Sequence, residues 1–286
     1  FMDAIEGMGE RSPRALVLEN VCGLASSHGG DDFRTVVSEF NRLGYSVDAF
    51  ELNARRWLPQ SRPRMFVVGL KDPTDGGKMD SPLRPDRLAW IHGDRRLVTH
   101  LSPILPAPPL LSAGLQSVVE NLSPEDSRWW DDGRCSKFVQ GLSDVQHARF
   151  KKLVAGAPVV RTAYRRTRNG RSVWEIRDDD IAGCLRTARG GSSKQALVFM
   201  GDGVARMRWM TGLEYARLQG AGDFNLKGFT ESQIQYAFGD AVAVPAVRWL
   251  MYSVVLPCLR GADDASGGEV IRYAGGARAG GLLRVV

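Results

Sequence analysis

The chain of 286 residues carries a net charge of +6, with 43% hydrophobic and 24% charged residues, a globular composition with room for one large domain or two modest ones. Its longest apolar run, WLMYSVVLPCL at 249–259, is shorter than the roughly eighteen residues a membrane helix needs, and no signal peptide opens the chain, so membrane and secretory roles are set aside. The four cysteines, Cys22, Cys135, Cys184 and Cys258, form no C-x-x-C pair, which argues against a zinc site or a disulfide framework and predicts reduced thiols in a cytoplasm.

In chain order, RALVL (14–18) predicts a short buried strand. DDFRTVVSEFNRLG (31–44) places Phe33, Val36, Val37, Phe40 and Leu43 on one helical stripe, with acids at its start and Gly44 at its end. YSVDAFEL (45–52) and RMFVVGL (64–70) predict two further strands. Strand, helix and strand at this spacing predict an α/β fold with a βαβ unit in a mostly parallel sheet. From about 73 to 205 proline and glycine become frequent, as in LSPILPAPPLLSAG (101–114), and periodicity weakens, so this stretch reads as a loop-rich region of irregular architecture. Order returns near 206. Thr211 with Glu214 three residues later is a capping box opening the helix TGLEYARLQG. A second helix is expected near SQIQYAF (232–238), then a GDAV turn (239–242), then a final helix with Pro245 in its first turn. The tail, 261–286, is rich in Gly, Ala and Arg and reads as a flexible arm.

The charge is unevenly spread. Residues 151–195 hold eleven basic side chains against four acidic ones, an excess suited to a polyanionic partner. Within it, RTAYRRTRNGR (161–171) interleaves Tyr164 with Arg161, Arg165, Arg166, Arg168 and Arg171, and Arg186, Arg189 and Lys194 follow. A DNA-reading surface and a solvated charged loop both fit this pattern.

In a parallel α/β sheet, functional groups gather beyond the carboxyl ends of strands. Glu19 and Asn20 fall there if the strand ends at Leu18, although a helix-capping role fits Glu19 equally well. In QSRPRMFVVG, Gln60, Arg62 and Arg64 alternate just before a strand, so their side chains are expected to converge on one face and suit oxyanion recognition.

Taken together, these segments resemble the catalytic domain of DNA cytosine-C5 methyltransferases. ENV (19–21) after a short apolar strand, then Q-x-R-x-R (60–64), RWMTGLEYARLQGAGDF (208–224) and FGDAVAVPAV (238–247) are similar, in order, to that family's motifs. The resemblance implies a Rossmann-like S-adenosylmethionine-dependent methyltransferase sheet with an inserted target-recognition region. Residues 1–72 and 206–260 would then be the second half and the return of the catalytic core, and 73–205 the insert. It implies methyl transfer from S-adenosyl-L-methionine to a cytosine flipped out of double-stranded DNA. Glu19 would bind the base edge at N3, and Arg62 and Arg64 would contact the flipped nucleotide and its phosphate. Gln60 and the basic insert residues would meet DNA, and Asn20, Asp240, Ala241 and Val242 the cofactor. Asp240 stands where the family usually has Asn, which either favours the cofactor's positive charge or caps the helix. Cys184 stands where the family's insert-closing segment has Thr.

The family's nucleophilic Pro-Cys loop and glycine-rich cofactor motif both lie upstream of its Glu-Asn-Val segment. Cys22 reads as a small packed side chain and not as the nucleophile. An N-terminal segment or a complementary subunit is therefore expected to supply the thiolate, and the chain is not expected to methylate DNA alone. A non-catalytic DNA-binding subunit and a tRNA cytosine methyltransferase of the same fold are the alternatives. Neither a membrane nor a metal is expected as a partner. The setting, in a bacterial cytosol or nucleoid, leaves restriction–modification, phage defence and orphan methylation open.

Overall fold

Strands β1 (Ala15–Val21), β2 (Ser46–Asn53) and β3 (Pro63–Leu70), with helix α1 (Asp31–Arg42), open the computed structural model, which describes residues 1–73, 76–103, 106–168, 170–186 and 194–260. The sheet order is β1–β3–β2, and β3 runs antiparallel to both neighbours. The mostly parallel pairing expected from the sequence is thus not found among the described strands. β1 and β2 do share a direction across α1, but β3 lies between them. The reason is the link: β2 ends at Asn53 and β3 starts at Pro63, and a parallel neighbour needs a crossover of a dozen or more residues.

Both faces of this sheet are covered. On one, Phe50, Leu52, Phe66, Val68 and Leu70 pack in a cluster with Ala246, Trp249 and Leu250. On the other, Leu16, Val47, Ala49, Met65 and Val67 pack with Phe33, Val37 and Phe40 of α1. Double coverage explains the unbroken apolar run in MFVVGL, since a strand buried on both sides has no polar face.

The region expected to be irregular contains α2 (Asp132–Gln140), α3 (Asp144–Val154) and a four-stranded antiparallel sheet in the order β5–β4–β6–β7. Its strands are β4 (Val159–Arg168), β5 (Arg171–Ile176), β6 (Ala196–Gly201) and β7 (Val204–Trp209). The division expected at 205/206 falls inside β7. Alternation was masked because β4 begins as sheet core, with Val160, Thr162 and Ala163 buried, and ends in exposed Arg166, Thr167 and Arg168. One strand carries two patterns.

Helix α4 (Gly212–Leu218) opens with the expected Thr211–Glu214 capping box. Glu214 also receives the Arg208 guanidinium through 2.5 and 2.8 Å hydrogen bonds, with both side chains buried. α5 (Glu231–Asp240) runs on through Gly239 and Asp240, so the turn expected at 239–242 is moved to Ala241–Ala243. α6 (Val244–Leu250) then starts with proline in its first turn. By length and composition Glu231–Leu259, a longer stretch than the run at 249–259, contains an 18-residue window apolar enough to cross a membrane, with a mean hydropathy of 1.6. Ala246, Trp249, Leu250, Val254 and Val255 within it are buried in the cluster over the β1–β3–β2 sheet. The tail expected to be a flexible arm lies outside the described residues.

Candidate active site and nucleic-acid cleft

The β1–β3 register sets Glu19 opposite Phe66 and Val21 opposite Arg64. Alternation therefore turns Glu19 and Arg64 to the same face as diagonal neighbours. The Arg64 Nε lies 2.9 Å from Glu19 Oε1, and the two side chains keep 15% and 22% exposure. Glu19 and Asn20 lie within β1, not beyond its end as the sequence suggested. Strand pairing holds the carboxylate to the sheet, which a loop position would not do. Asn20 turns to the opposite face, where its Oδ1 accepts the Val21 N–H at 2.8 Å.

Gln60 and Arg62 do converge with Arg64, but they serve the fold. Gln60 is fully buried; its Nε2 donates to the Leu218 carbonyl at 2.5 Å and its Oε1 accepts the Leu185 N–H at 3.2 Å. This corrects the expectation that Gln60 meets DNA: both ends of its amide are occupied by main chain. Arg62 is 4% exposed. It donates to the Leu185 carbonyl at 3.0 Å and the Ala241 carbonyl at 2.6 Å, and its buried Nε has no partner. Burial, the largest influence, pushes the Arg62 guanidinium below its ordinary range. Arg62 is thus a tie between three chain segments and not, as expected, a surface donor for a nucleotide phosphate.

Two residues that the sequence left without a role complete this knot. Gln219, fully buried, donates to the Phe238 and Ala241 carbonyls at 2.8 and 3.2 Å. Gln195 exchanges two hydrogen bonds with the Gly183 backbone, at 3.0 and 2.9 Å. An amide at the end of an apolar helix, as in ARLQG, is the one sequence signal that pointed to Gln219. Cys184 sits at the centre: Arg64 Nη2 and Arg62 Nη1 approach its Sγ at 3.3 and 3.5 Å, and its thiol donates to the Leu185 carbonyl at 3.3 Å.

Beside this knot lies a cleft of about 550 Å³. Ser61, Pro63, Cys184 and Arg186 line it together with Tyr164, Arg166, Arg168 and Arg177. Strand alternation sorts the basic residues. Tyr164, Arg166 and Arg168 share one face of β4, with exposed Arg171 directly opposite Arg168 on β5. Glu175 pairs with both Arg166 and Arg168, and Asp179 with Arg177. Arg161 turns to the other face, where Nη1 donates to the Val160 carbonyl; it is not a cleft residue, which corrects its grouping with the rest. Arg165 borders the cleft while its guanidinium sits 5.6 Å from the Trp174 ring. Arg186 is exposed and Lys194 half-buried, whereas Arg189 lies outside the described residues.

The cysteines differ in setting. Burial, then the Glu51 carboxylate, pushes the Cys22 thiol up to about 11, so the thiolate is disfavoured. Burial likewise raises the Cys135 and Cys258 thiols. Of the four residues expected to meet the cofactor, the Ala241 carbonyl already accepts from Arg62 and Gln219, and Val242 packs against the sheet core. Asp240 is exposed at the C-terminal end of α5, against the negative end of the helix dipole, where a cation beside it is favoured. Neither this cleft nor a second of about 280 Å³ under Val159 and Phe199 is lined by any of these four. Among the described residues, Asp240 suits the cationic end of such a group.

The chain is similar to known proteins to differing extents. Type II methyltransferase M.BspRI of Lysinibacillus sphaericus is 42% identical over 76 residues, 26% of this chain and 18% of that protein. Type II methyltransferase M.AgeI of Thalassovita gelatinovora is 38% identical over 74 residues, 26% and 17% of the two chains. The matched stretch thus spans under a fifth of these relatives. Among solved structures, the S. pombe Dnmt2 methyltransferase aligns with 92% of this chain and 71% of its own at 12% identity and a TM-score of 0.49. The Entamoeba histolytica methyltransferase EhMeth aligns with 84% and 62% at 13% identity and a TM-score of 0.48. The family model described as C-5 cytosine-specific DNA methylase matches residues 1–255, and the chain belongs to that family.

Proposed function

We propose that this chain carries the base-holding and DNA-facing parts of a DNA cytosine-C5 methyltransferase. The observation that carries the reading is the Glu19–Arg64 pair, 2.9 Å apart on paired strands, next to a cleft with a basic wall. Carbon 5 of cytosine is a weak nucleophile, and addition of a thiolate at carbon 6 turns it into an enamine that attacks a methyl donor. As electrons enter the ring, N3 becomes basic, and a carboxylate placed against that edge stabilises the protonated form. Glu19 has this role, with the Arg64 guanidinium 2.9 Å from its Oε1 fixing its direction. S-adenosyl-L-methionine supplies the methyl group; Asp240, beside the turn at Ala241 and Val242, is the residue suited to its positive charge, and Asn20 remains a candidate contact.

The thiolate is assigned to a polypeptide segment beyond the described residues or to a complementary subunit. Raised thiols at Cys22, Cys135 and Cys258 support this; Cys184, whose Sγ lies beside the Arg62 and Arg64 guanidiniums, is the cysteine of this chain that the trapping experiment must exclude. Double-stranded DNA is the substrate in this reading, held by the β4–β5 hairpin and by Arg186 and Lys194, so that residues 73–205 act as the target-recognition region. A target base inside a duplex reaches Glu19 only by flipping out.

Covalent trapping tests this. Duplex DNA carrying 5-fluorocytosine blocks the elimination that releases the enzyme, so a competent protein stays attached in the presence of S-adenosylmethionine. The expected adduct forms only with an upstream or complementary segment present, and maps to it. An adduct on one of this chain's cysteines overturns the assignment of the thiolate. Adducts on RNA alone favour the tRNA reading, and DNA binding without any adduct favours a non-catalytic subunit.

A further inference from the structure

Glu175 is an acid in the middle of the basic hairpin, where a polyanion would be repelled by it. Its side chain is only 17% exposed, against 50% and 60% for Arg166 and Arg168. Oε2 lies 3.2 Å from Arg166 Nε, and Oε1 accepts from Arg168 Nε at 2.7 Å and lies 2.7 Å from its Nη2. One carboxylate thus holds two guanidiniums. The Arg166 guanidinium also lies 4.9 Å over the Tyr164 ring and donates to the Tyr164 hydroxyl at 3.4 Å. The register explains the reach: Glu175 is directly opposite Tyr164, so Arg166 and Arg168 follow on the same face, two and four residues along β4.

Exposed ion pairs of this kind contribute little to stability, and an acid beside DNA weakens the electrostatic part of binding. What the pair arrangement does supply is order. A free arginine loses much rotamer freedom on docking, and a guanidinium already held in position loses less. Planar forks fixed in direction discriminate a guanine edge from other bases, whereas mobile ones serve any phosphate.

We propose that Glu175 is a positioning residue for sequence discrimination, holding Arg166 and Arg168 in the orientation in which they meet DNA. This rests on the reading that the hairpin faces duplex DNA. The predicted signature is opposite in sign for two ligands: removing the negative charge leaves non-specific affinity unchanged or raises it, while specific affinity falls.

The test starts with selection of bound duplexes from a random-sequence pool by the full chain, followed by affinity measurements on the selected duplex and a scrambled one at one salt concentration. Glu175→Gln is expected to bind the selected duplex about tenfold more weakly and the scrambled one at least as well. Glu175→Asp, which keeps the charge but shortens the reach, is expected to fall between. In an Arg166→Ala/Arg168→Ala background, Glu175→Gln is expected to leave the ratio unchanged. An equal change on both duplexes, an unchanged ratio, or a full effect persisting without the two arginines overturns the inference while leaving DNA binding intact. A wild-type chain that binds no duplex overturns the reading beneath it as well. Thermal melting identifies any variant that fails to fold, and Glu175→Asp then carries the comparison.

Discussion

Two groups of arginines in this molecule look alike in sequence and behave differently in space. Arg62 and Arg64, at the mouth of β3, are buried or nearly so; Arg62 binds main-chain carbonyls and Arg64 a carboxylate. Arg166 and Arg168, on the hairpin, are half or more exposed and pair with the Glu175 carboxylate, Arg166 also lying over the Tyr164 ring. A guanidinium enclosed by carbonyls fixes the relative position of chain segments, because moving it strands buried acceptors. A guanidinium in solvent is available to an incoming ligand. Burial, and not the residue type, separates framework from interface.

The largest expected effect tests the one carboxylate that the buried group holds. Glu19→Gln, in a preparation that methylates DNA, is expected to lower methyl transfer by about 10²–10⁴-fold, with little change in DNA affinity by fluorescence anisotropy. Unaltered turnover removes Glu19 from the mechanism. Next comes the contrast within the first group. Arg62→Ala removes one of the two donors from each of the Leu185 and Ala241 carbonyls and empties the buried space of the side chain, and is expected to cost about 2–4 kcal/mol in urea unfolding. Arg64→Ala, less enclosed, is expected to reduce methyl transfer more than stability. Equal stability losses would erase the distinction between these two arginines.

A third case extends the buried class. Arg84 and Asp48 are both fully buried, 2.6 Å apart. Burial alone would raise the Asp48 carboxyl, but hydrogen bonds from His92 and Arg84 outweigh it and hold the group below its ordinary 3.8. The unfolded chain therefore takes up this proton first, so stability rises with pH across the window below about 4 and is lost as pH falls through the lowered value. Urea midpoints measured from pH 2 to 6 are expected to show that slope, and Asp48→Asn to flatten it.

On the exposed side, Arg171→Gln with Arg186→Gln is expected to reduce the slope of log affinity against log salt by about 0.9 for each phosphate left without its arginine, whereas Arg166 and Arg168, held by Glu175, are expected to affect sequence discrimination more than this slope. Arg161→Gln, on the opposite face of β4, is expected to leave it unchanged. The smallest effect belongs to Cys22→Ala, which is expected to retain activity and most of the stability. An inactive but folded variant reverses the reading of that thiol.

The elements around the site were legible where a single physical demand shaped each one. The stripe of Phe33, Val37 and Phe40 announced α1, and Thr211 with Glu214 announced α4, because periodicity and capping are local. Sheet direction was not local in that sense: the shortness of the 54–62 link signals a hairpin, and the alternation of strand and helix pointed the other way. The inserted sheet escaped because β4 changes from core to surface halfway along. At the site, Glu19 and Arg64 were readable as chemistry-bearing types next to strands. The separate fates of Gln60 and Arg62 were not, since they depend on carbonyls of Leu185, Leu218 and Ala241, more than a hundred residues away in sequence.

The pairing of residues 59–61 with Ala182, where Ser61 N–H meets the Ala182 carbonyl and Ala182 N–H the Pro59 carbonyl, has a consequence for how such a protein diversifies. It moors the insert to the core at the base of the sheet that carries Glu19. Provided 182–185 and the buried half of β4 are retained, exposed positions on the outer hairpin, such as 166–168 and 171–172, can change without re-aiming the carboxylate. Under the proposed function, variation at those exposed positions would change the surface that meets a nucleic acid while the Glu19–Arg64 pair is inherited unchanged.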